Sequence, residues 1–328
     1  MCVFLCFVFL FNVFCVNSWG SELKKRVDVV SYSEYLFSDK GPIKYNQLKE
    51  EFDLLFTFNL YRYVDNFSGD DPKLQKIIFF DYCQDPKTIN LPKNKLICFK
   101  WEAIKIPLCF YHFYYRVYTF DDDLVDREKF FKFYYPVLQP MLPYITPFIE
   151  KKFCSIVVKN WIPERIKILD FFATKPKNSL DIYGHLPTSF FYHEMYKGEI
   201  SGGYSSQEKL NLLKNYRFCI CFENVHTTPG YITEKIFDAF AAGCVPIYWG
   251  PENVEDYIPI DCFIDYRKFK NNEEMYQFIT SITESEYELY IDNIRHFLQS
   301  EQASLFSQEN FEKLLYEAVL DPQPLPDI

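Results

Sequence analysis

The sequence predicts an α/β protein built from two units of mostly parallel β-sheet. Three observations carry that expectation. Short apolar runs bounded by turn residues, such as "KIIFFDYCQ" and "KLICFKWE", read as strands buried on both faces. In the second half such runs alternate with segments whose apolar residues fall at helical spacing, the pattern of parallel strands joined by helices. At 328 residues the chain is also longer than one compact core usually fills.

Residues 1–20 stand apart from both units. They are apolar and uncharged to Val16, and Lys24, Lys25 and Arg26 follow. The run falls short of the ~20 residues a spanning helix needs and lacks the basic leader of a signal peptide. Three readings stay open: a weak anchor, a signal peptide, or a mis-assigned start codon. As an anchor it predicts a membrane-associated protein, with the basic residues behind it keeping the body on the cytoplasmic face.

The first unit is placed at residues 21–148. "VDVVSYS" and "FDLLFTFNLY" are β-like pieces among polar stretches, and the two apolar runs quoted above follow. An aromatic, Lys-rich region from Asp121 leads to Pro136, Pro140, Pro143 and Pro147, which mark a boundary near 148. The second unit, 149–328, opens with the strand "KFCSIVVKN". Pro163 sits where a helix can start, and "ERIKILDFFA" has the helical period. "LDIYGH" is a strand, "SSQEKLNLLKNY" a helix with serine caps, and "FCICFEN" a strand. "TEKIFDAFAAG" is a helix with Thr233 at its N-cap and Gly243 past its end, and "CVPIYWG" is a strand. Residues 273–319 are mostly helical by pattern.

Composition narrows the function. A net charge of −10 excludes a basic nucleic-acid surface, so a phosphate ligand must be held by a few local cations, backbone amides or a helix N-terminus. The 11 cysteines include three in the N-terminal run; the others lie in strand-like contexts without a CxxC pair. They read as buried free thiols in a reducing compartment. No GxGxxG fingerprint is present.

The informative stretch is "FCICFENVHTTPGYITEKIFDAFAAGCVPIYWG", residues 218–250. Ligands of open parallel sheets bind beyond the carboxyl ends of the strands, and Glu223 and Asn224 lie at such an end. The loop then delivers Tyr231 to a helix start where Thr233, Glu234 and Lys235 form the first turn. The free N–H groups and dipole there favour an anion, Lys235 adds charge, and Glu234 can accept bonds from sugar hydroxyls. This combination suits a nucleotide diphosphate-sugar. The bland alternative is a dipole-paired glutamate beside a solvated lysine.

The run "FCICFEN…GYITEKIFDAFAAGCVPIYWG…NVEDYIP…CFID" resembles the donor-binding signature of the α1,3/α1,4-fucosyltransferases, glycosyltransferase family 10. "FKWE", "TFDDDLVD", "KFYYP" and "YKG" resemble bacterial-type members, so the likeness extends from about Lys95 to Phe269. It implies a GT-B fold of two Rossmann-like domains facing a central cleft, with GDP-fucose on the C-terminal half and the acceptor on the N-terminal half. Glu102 in "FKWEA" corresponds to the general base. Arg165 and Lys235 correspond to the cations on the donor diphosphate, Glu234 to the ribose partner, and Asn224 and Tyr231 to further donor contacts. Two departures are visible: Ala103 and Ile104 stand where Pro or Ser often follows the glutamate, and the Asn224–Tyr231 spacing is one residue longer than in some members.

The implied reaction is inverting transfer of L-fucose from GDP-β-L-fucose to an acceptor glycan such as N-acetyllactosamine, at O3 of its N-acetylglucosamine, with no obligate metal. Asp121, Asp122 and Asp123 resemble an acidic metal motif but read as turn or cap residues. His226 reads as a contact in the active loop, Trp101, Trp161 and Trp249 as core or cleft wall, and Lys197 with Gly198 as a possible edge of the donor pocket. Two alternatives remain beside this reading. One is a related transferase with another nucleotide sugar, and the other a non-catalytic glycan-binding homologue.

Overall fold

The computed structural model describes residues 25–31, 56–61, 73–81, 91–104, 107–185, 194–200 and 206–320. The apolar run at 1–20 and Cys83 lie outside them. Among the described residues no helix is long and apolar enough to cross a membrane.

Two six-stranded sheets, parallel throughout, organise the chain. The first has the order β2-β1-β3-β4-β5-β6, from β1 (Lys25–Ser31), β2 (Phe56–Tyr61), β3 (Leu74–Phe80), β4 (Leu96–Lys100), β5 (Arg116–Thr119) and β6 (Phe130–Lys132). The second has the order β12-β11-β10-β7-β8-β9, from β7 (Lys152–Val158), β8 (Asp181–Gly184), β9 (Tyr196–Gly198), β10 (Tyr216–Phe222), β11 (Val245–Trp249) and β12 (Ile264–Asp265). Strand order reverses between β7 and β10, which creates a crevice at their carboxyl ends.

The pleat explains why the strands are apolar throughout. Alternate residues of β3 and β4 serve different cores: Ile78, Phe80, Ile97 and Phe99 join the large core, while Ile77, Phe79, Leu96 and Cys98 join a smaller one on the other face. The described helices are α1 (Pro163–Ala173), α2 (Gln207–Leu213), α3 (Glu234–Ala241), α4 (Asn272–Ser281), α5 (Glu284–Leu298), α6 (Glu301–Ser304) and α7 (Gln308–Leu320). Pro163 opens α1, and Ser206 caps α2 by accepting from the Lys209 amide. Gly243, at φ +61, ends α3; a Cβ there would lie 2.6 Å from Ile145 of the linker between the sheets.

Several expectations change. Strands β5, β6, β9 and β12 were not legible in the sequence; they are two to four residues long, and their neighbours rather than their own pattern define them. Cysteines 98, 154, 219, 221, 244 and 262 are buried free thiols, but Cys109 is exposed; its segment, like that of Cys262, is a 3₁₀ turn rather than a strand. Helix α7, grouped by sequence with the second unit, lies on the first sheet. Its Phe311 ring sits 5.7 Å from Phe99 and 5.9 Å from Trp101.

Candidate active site

The site begins where β10 leaves the sheet. The Glu223 amide still donates to the Trp249 carbonyl (2.8 Å), so the chain stays in register one residue past the strand. The Glu223 side chain is fully buried. It accepts from the Thr233 amide (2.9 Å), the Thr233 hydroxyl (2.8 and 3.0 Å), the Lys235 ammonium (2.9 Å) and the Tyr248 hydroxyl (3.3 Å). Thr233 is the N-cap residue of α3 by position, yet its hydroxyl turns to Glu223 instead of to its own helix. The first turn of α3 is thereby fastened to the end of β10.

Lys235 lies between Glu223 and Glu234, whose Oε1 is 3.7 Å away. Burial works against its ammonium, but the two carboxylates outweigh burial and hold its pKa above the usual lysine range. Its three donors are partly engaged, by Glu223 and the Thr233 hydroxyl. Glu234 occupies the first position of α3 and is nearly buried.

Arg165, in the first turn of α1, reaches the same place from β7. Its guanidinium donates to the Asn160 carbonyl (2.6 Å), the Phe222 carbonyl and the Asn224 Oδ1 (3.0 Å). Burial lowers its proton affinity, and Glu223, Glu234 and Tyr231 partly restore it. Four of the five sequence-picked donor residues, Arg165, Asn224, Glu234 and Lys235, therefore gather at the switch point, where α1 and α3 both begin. Two cations there face two carboxylates, so the cluster is near neutral before a ligand arrives.

The fifth, Tyr231, is buried, with its ring 4.9 Å from Phe120 and 6.1 Å from Tyr135, both of the first half. It forms part of the wall between the halves. The preceding Pro229–Gly230 turn docks on the same surface: the Pro229 carbonyl accepts from the Asp122 amide (3.2 Å), and the Gly230 amide donates to Asn253 Oδ1 (2.9 Å). Asp122 completes the latch. It pairs with Lys132 (2.6 Å) and accepts from Asn253 (2.8 Å) and Tyr257 (2.7 Å). Burial favours its protonated form, but those three partners prevail and lower its pKa.

Glu102 follows β4 in the first sheet and its side chain is exposed. The two halves converge on Tyr135: burial raises the pKa of its hydroxyl, and the charges of Tyr231, Asp81, Glu102 and Glu223 raise it further. Glu102 of the first half and Glu223 of the second thus both act electrostatically on one buried phenol.

Other candidates are placed as follows. Asp121 pairs with Lys100 (3.5 Å) and Asp123 is exposed; the described residues hold no group of three or more His, Cys, Asp or Glu fit for a metal. His226 stacks on Trp249 at 4.0 Å, Trp101 is core, and Trp161 is half-buried with its indole N–H on the His185 carbonyl. Lys197 lies on the edge strand β9 with its ammonium toward Asp181 at the start of β8, away from the strand ends that carry the site. Sequence reasoning placed Glu223 at the strand end without its role as the buried anchor of α3, and it did not single out Asp122 as a latch or Tyr135. A signal for Glu223 existed: it is a lone acid directly after the wholly apolar "FCICF".

Facing α/β halves with parallel sheets and a polar cluster at a strand-order reversal define the GT-B architecture of glycosyltransferases. Solved structures share it. A crystal structure of an α1,3-fucosyltransferase with GDP-fucose matches with TM-score 0.60, 16% identity and 95% of each chain covered. One of a glycosyltransferase from Rickettsia africae ESF-5 matches with TM-score 0.59, 11% identity, 92% of this chain and 100% of that one.

Residues 150–313 match glycosyltransferase family 10 (fucosyltransferase), C-terminal region, and the chain belongs to that family. It is 34% identical over 140 residues to mouse 4-galactosyl-N-acetylglucosaminide 3-alpha-L-fucosyltransferase 9, covering 42% of this chain and 34% of that protein. It is 41% identical over 78 residues to Helicobacter pylori alpha-(1,3)-fucosyltransferase FucT, covering 24% of this chain and 16% of that protein. The chain thus spans about a third or less of the length of these curated relatives.

Proposed function

We propose that this chain transfers L-fucose from GDP-β-L-fucose to a hydroxyl of an acceptor glycan by single displacement, with inversion at the sugar carbon. The observation that carries the reading is the cluster of Arg165, Asn224, Glu234 and Lys235 at the switch point, inside the family-10 segment. In this reading Arg165, Lys235 and the N-termini of α1 and α3 take up the charge of the departing diphosphate. Glu234 accepts from ribose hydroxyls, and Asn224, already fixed by Arg165, offers a donor contact. Tyr231 contributes from the wall of the cleft. Glu102 takes the proton of the attacking hydroxyl. With cations on the leaving group, no divalent ion is obligatory. The acceptor proposal, O3 of N-acetylglucosamine in a lactosamine unit, follows the name of the mouse relative.

The test is incubation of the chain with GDP-fucose and N-acetyllactosamine in the presence of chelator, with product read by mass and a Glu102→Gln variant alongside. Metal-independent product, lost by about 100-fold or more in the variant, is expected for removal of a general base. Product only with another sugar nucleotide moves the donor assignment. Absence of both product and GDP binding leaves the non-catalytic, glycan-binding reading in its place.

A further inference from the structure

We infer that Asp81 is a positioning residue for Glu102: its carboxylate clamps the Trp101–Glu102 backbone and so fixes where the Glu102 side chain stands in the cleft. The inference rests on Glu102 being the base.

Asp81 is the first residue past β3, next to β4 in the sheet, and it adopts φ +67, a left-handed conformation. For a residue other than glycine that conformation costs about 1–2 kcal/mol, though aspartate tolerates it better than most. The turn keeps the Asp81 amide on the Phe99 carbonyl (2.8 Å) and brings its side chain across the end of β4. There one oxygen, Oδ1, accepts from two successive amides, Trp101 N (2.7 Å) and Glu102 N (2.6 Å). Both distances are short, as expected when the acceptor is ionised.

The same peptide segment is held from its other side. The Tyr135 hydroxyl donates to the Trp101 carbonyl, and the Trp101 ring is locked between Phe133 and Phe80, each at 5.7 Å, and Phe311 at 5.9 Å. Glu102 is thus an exposed side chain on an immobilised backbone. That is what a base needs if its oxygen must meet an acceptor hydroxyl aimed at a donor that the other half of the molecule holds.

The clamp is also sensitive to pH. Burial pushes the Asp81 carboxyl up to about 6; the Glu102 amide opposes this, the Glu102 charge adds to it, and the Trp101 amide and Lys100 oppose it. Among the described residues, other ionisable groups within its reach are Tyr111, Tyr135 and the Cys98 thiol of β4, 3.9 Å from the Asp81 carbonyl. Below that value Asp81 takes up a proton and becomes a neutral, weaker acceptor, so the clamp loosens. A residue that merely caps β4 would move the melting temperature and leave the pH profile of turnover alone.

The experiment compares full-length wild type, Asp81→Asn, Asp81→Ala and Glu102→Gln, using GDP-fucose and N-acetyllactosamine from pH 5 to 8, with GDP affinity measured by calorimetry. Asp81→Ala is expected to lower kcat about 100-fold, the scale of a misplaced catalytic group, with GDP affinity held within about twofold. Asparagine keeps an acceptor oxygen without the charge. It is expected to recover kcat to within about tenfold of wild type and to abolish the wild-type inflection near pH 6. Asparagine is isosteric, so it carries the test if the alanine variant does not fold. The inference is overturned if Asp81→Asn keeps the inflection, or if Asp81→Ala keeps kcat within about threefold. It is overturned too if Asp81→Asn is as inactive as Glu102→Gln, which would make Asp81 the proton acceptor. Absence of turnover in wild type overturns the fucosyl-transfer reading, and this inference with it.

Discussion

Replacing Glu223 by glutamine tests whether the cluster at the switch point is held by one buried charge. The carboxylate is fully buried and accepts only, from Thr233, Lys235 and Tyr248. Glutamine has the same shape, but its NH₂ must face one of these donors, and Lys235 loses its nearest counter-charge. Breaking a buried pair from one side costs ~3–5 kcal/mol. Lys235 keeps a fifth of its side chain in solvent and retains Glu234 at 3.7 Å, so the smaller figure of ~2–3 kcal/mol is expected here. With an unfolding entropy of about 2.1 cal/mol/K per residue, the 328 residues give roughly 0.7 kcal/mol/K. The melting temperature should therefore fall by ~3–4 °C. Adding Lys235→Met to Glu223→Gln removes the orphaned charge and should return at least about half of the loss. Thermal melts of wild type, Glu223→Gln, Lys235→Met and the double variant by circular dichroism measure both quantities. A single variant that melts within about 1 °C of wild type, or effects that add without recovery, would refute the argument that the two charges compensate each other.

Three further outcomes are expected. Gly230→Ala places a Cβ 2.4 Å from the Phe120 carbonyl and the Lys132 ammonium at φ +77, so it should destabilise by more than about 1 kcal/mol in denaturant melts. Asp122→Asn weakens the latch between the halves. Because the Asp122 pKa is lowered from 3.8, its ionised form stabilises the fold above that value, and the contribution disappears as pH falls through the lowered pKa. The melting gap between wild type and variant should therefore be present at pH 6 and shrink below about pH 4. Arg165→Lys cannot reproduce a guanidinium that spans Asn160, Phe222 and Asn224, and should weaken GDP binding about tenfold by calorimetry.

The sequence by itself determined the strands that are largely buried. Strands β3, β4, β7, β10 and β11 read as apolar runs because each lies inside its sheet with covered faces, so nearly every residue must be apolar. It also determined Asn224, Glu234 and Lys235 as one group, since a strand end, a loop and a helix start bring neighbours in sequence to one edge of the sheet. Tertiary structure decided the rest. Asp122 reads as a turn acid until Asn253 and Tyr257, 131 and 135 residues further on, close over it. Tyr231 reads as a loop residue exposed to ligand, but the packing of the halves buries it against Phe120 and Tyr135. Asp81 carries no periodic or motif signal of its role, and Glu223 shows in the sequence only as a lone acid at a strand end. Their partners are amides, hydroxyls and an ammonium supplied by neighbouring elements, and a hydrogen bond is specified by where groups meet in space rather than by their order in the chain.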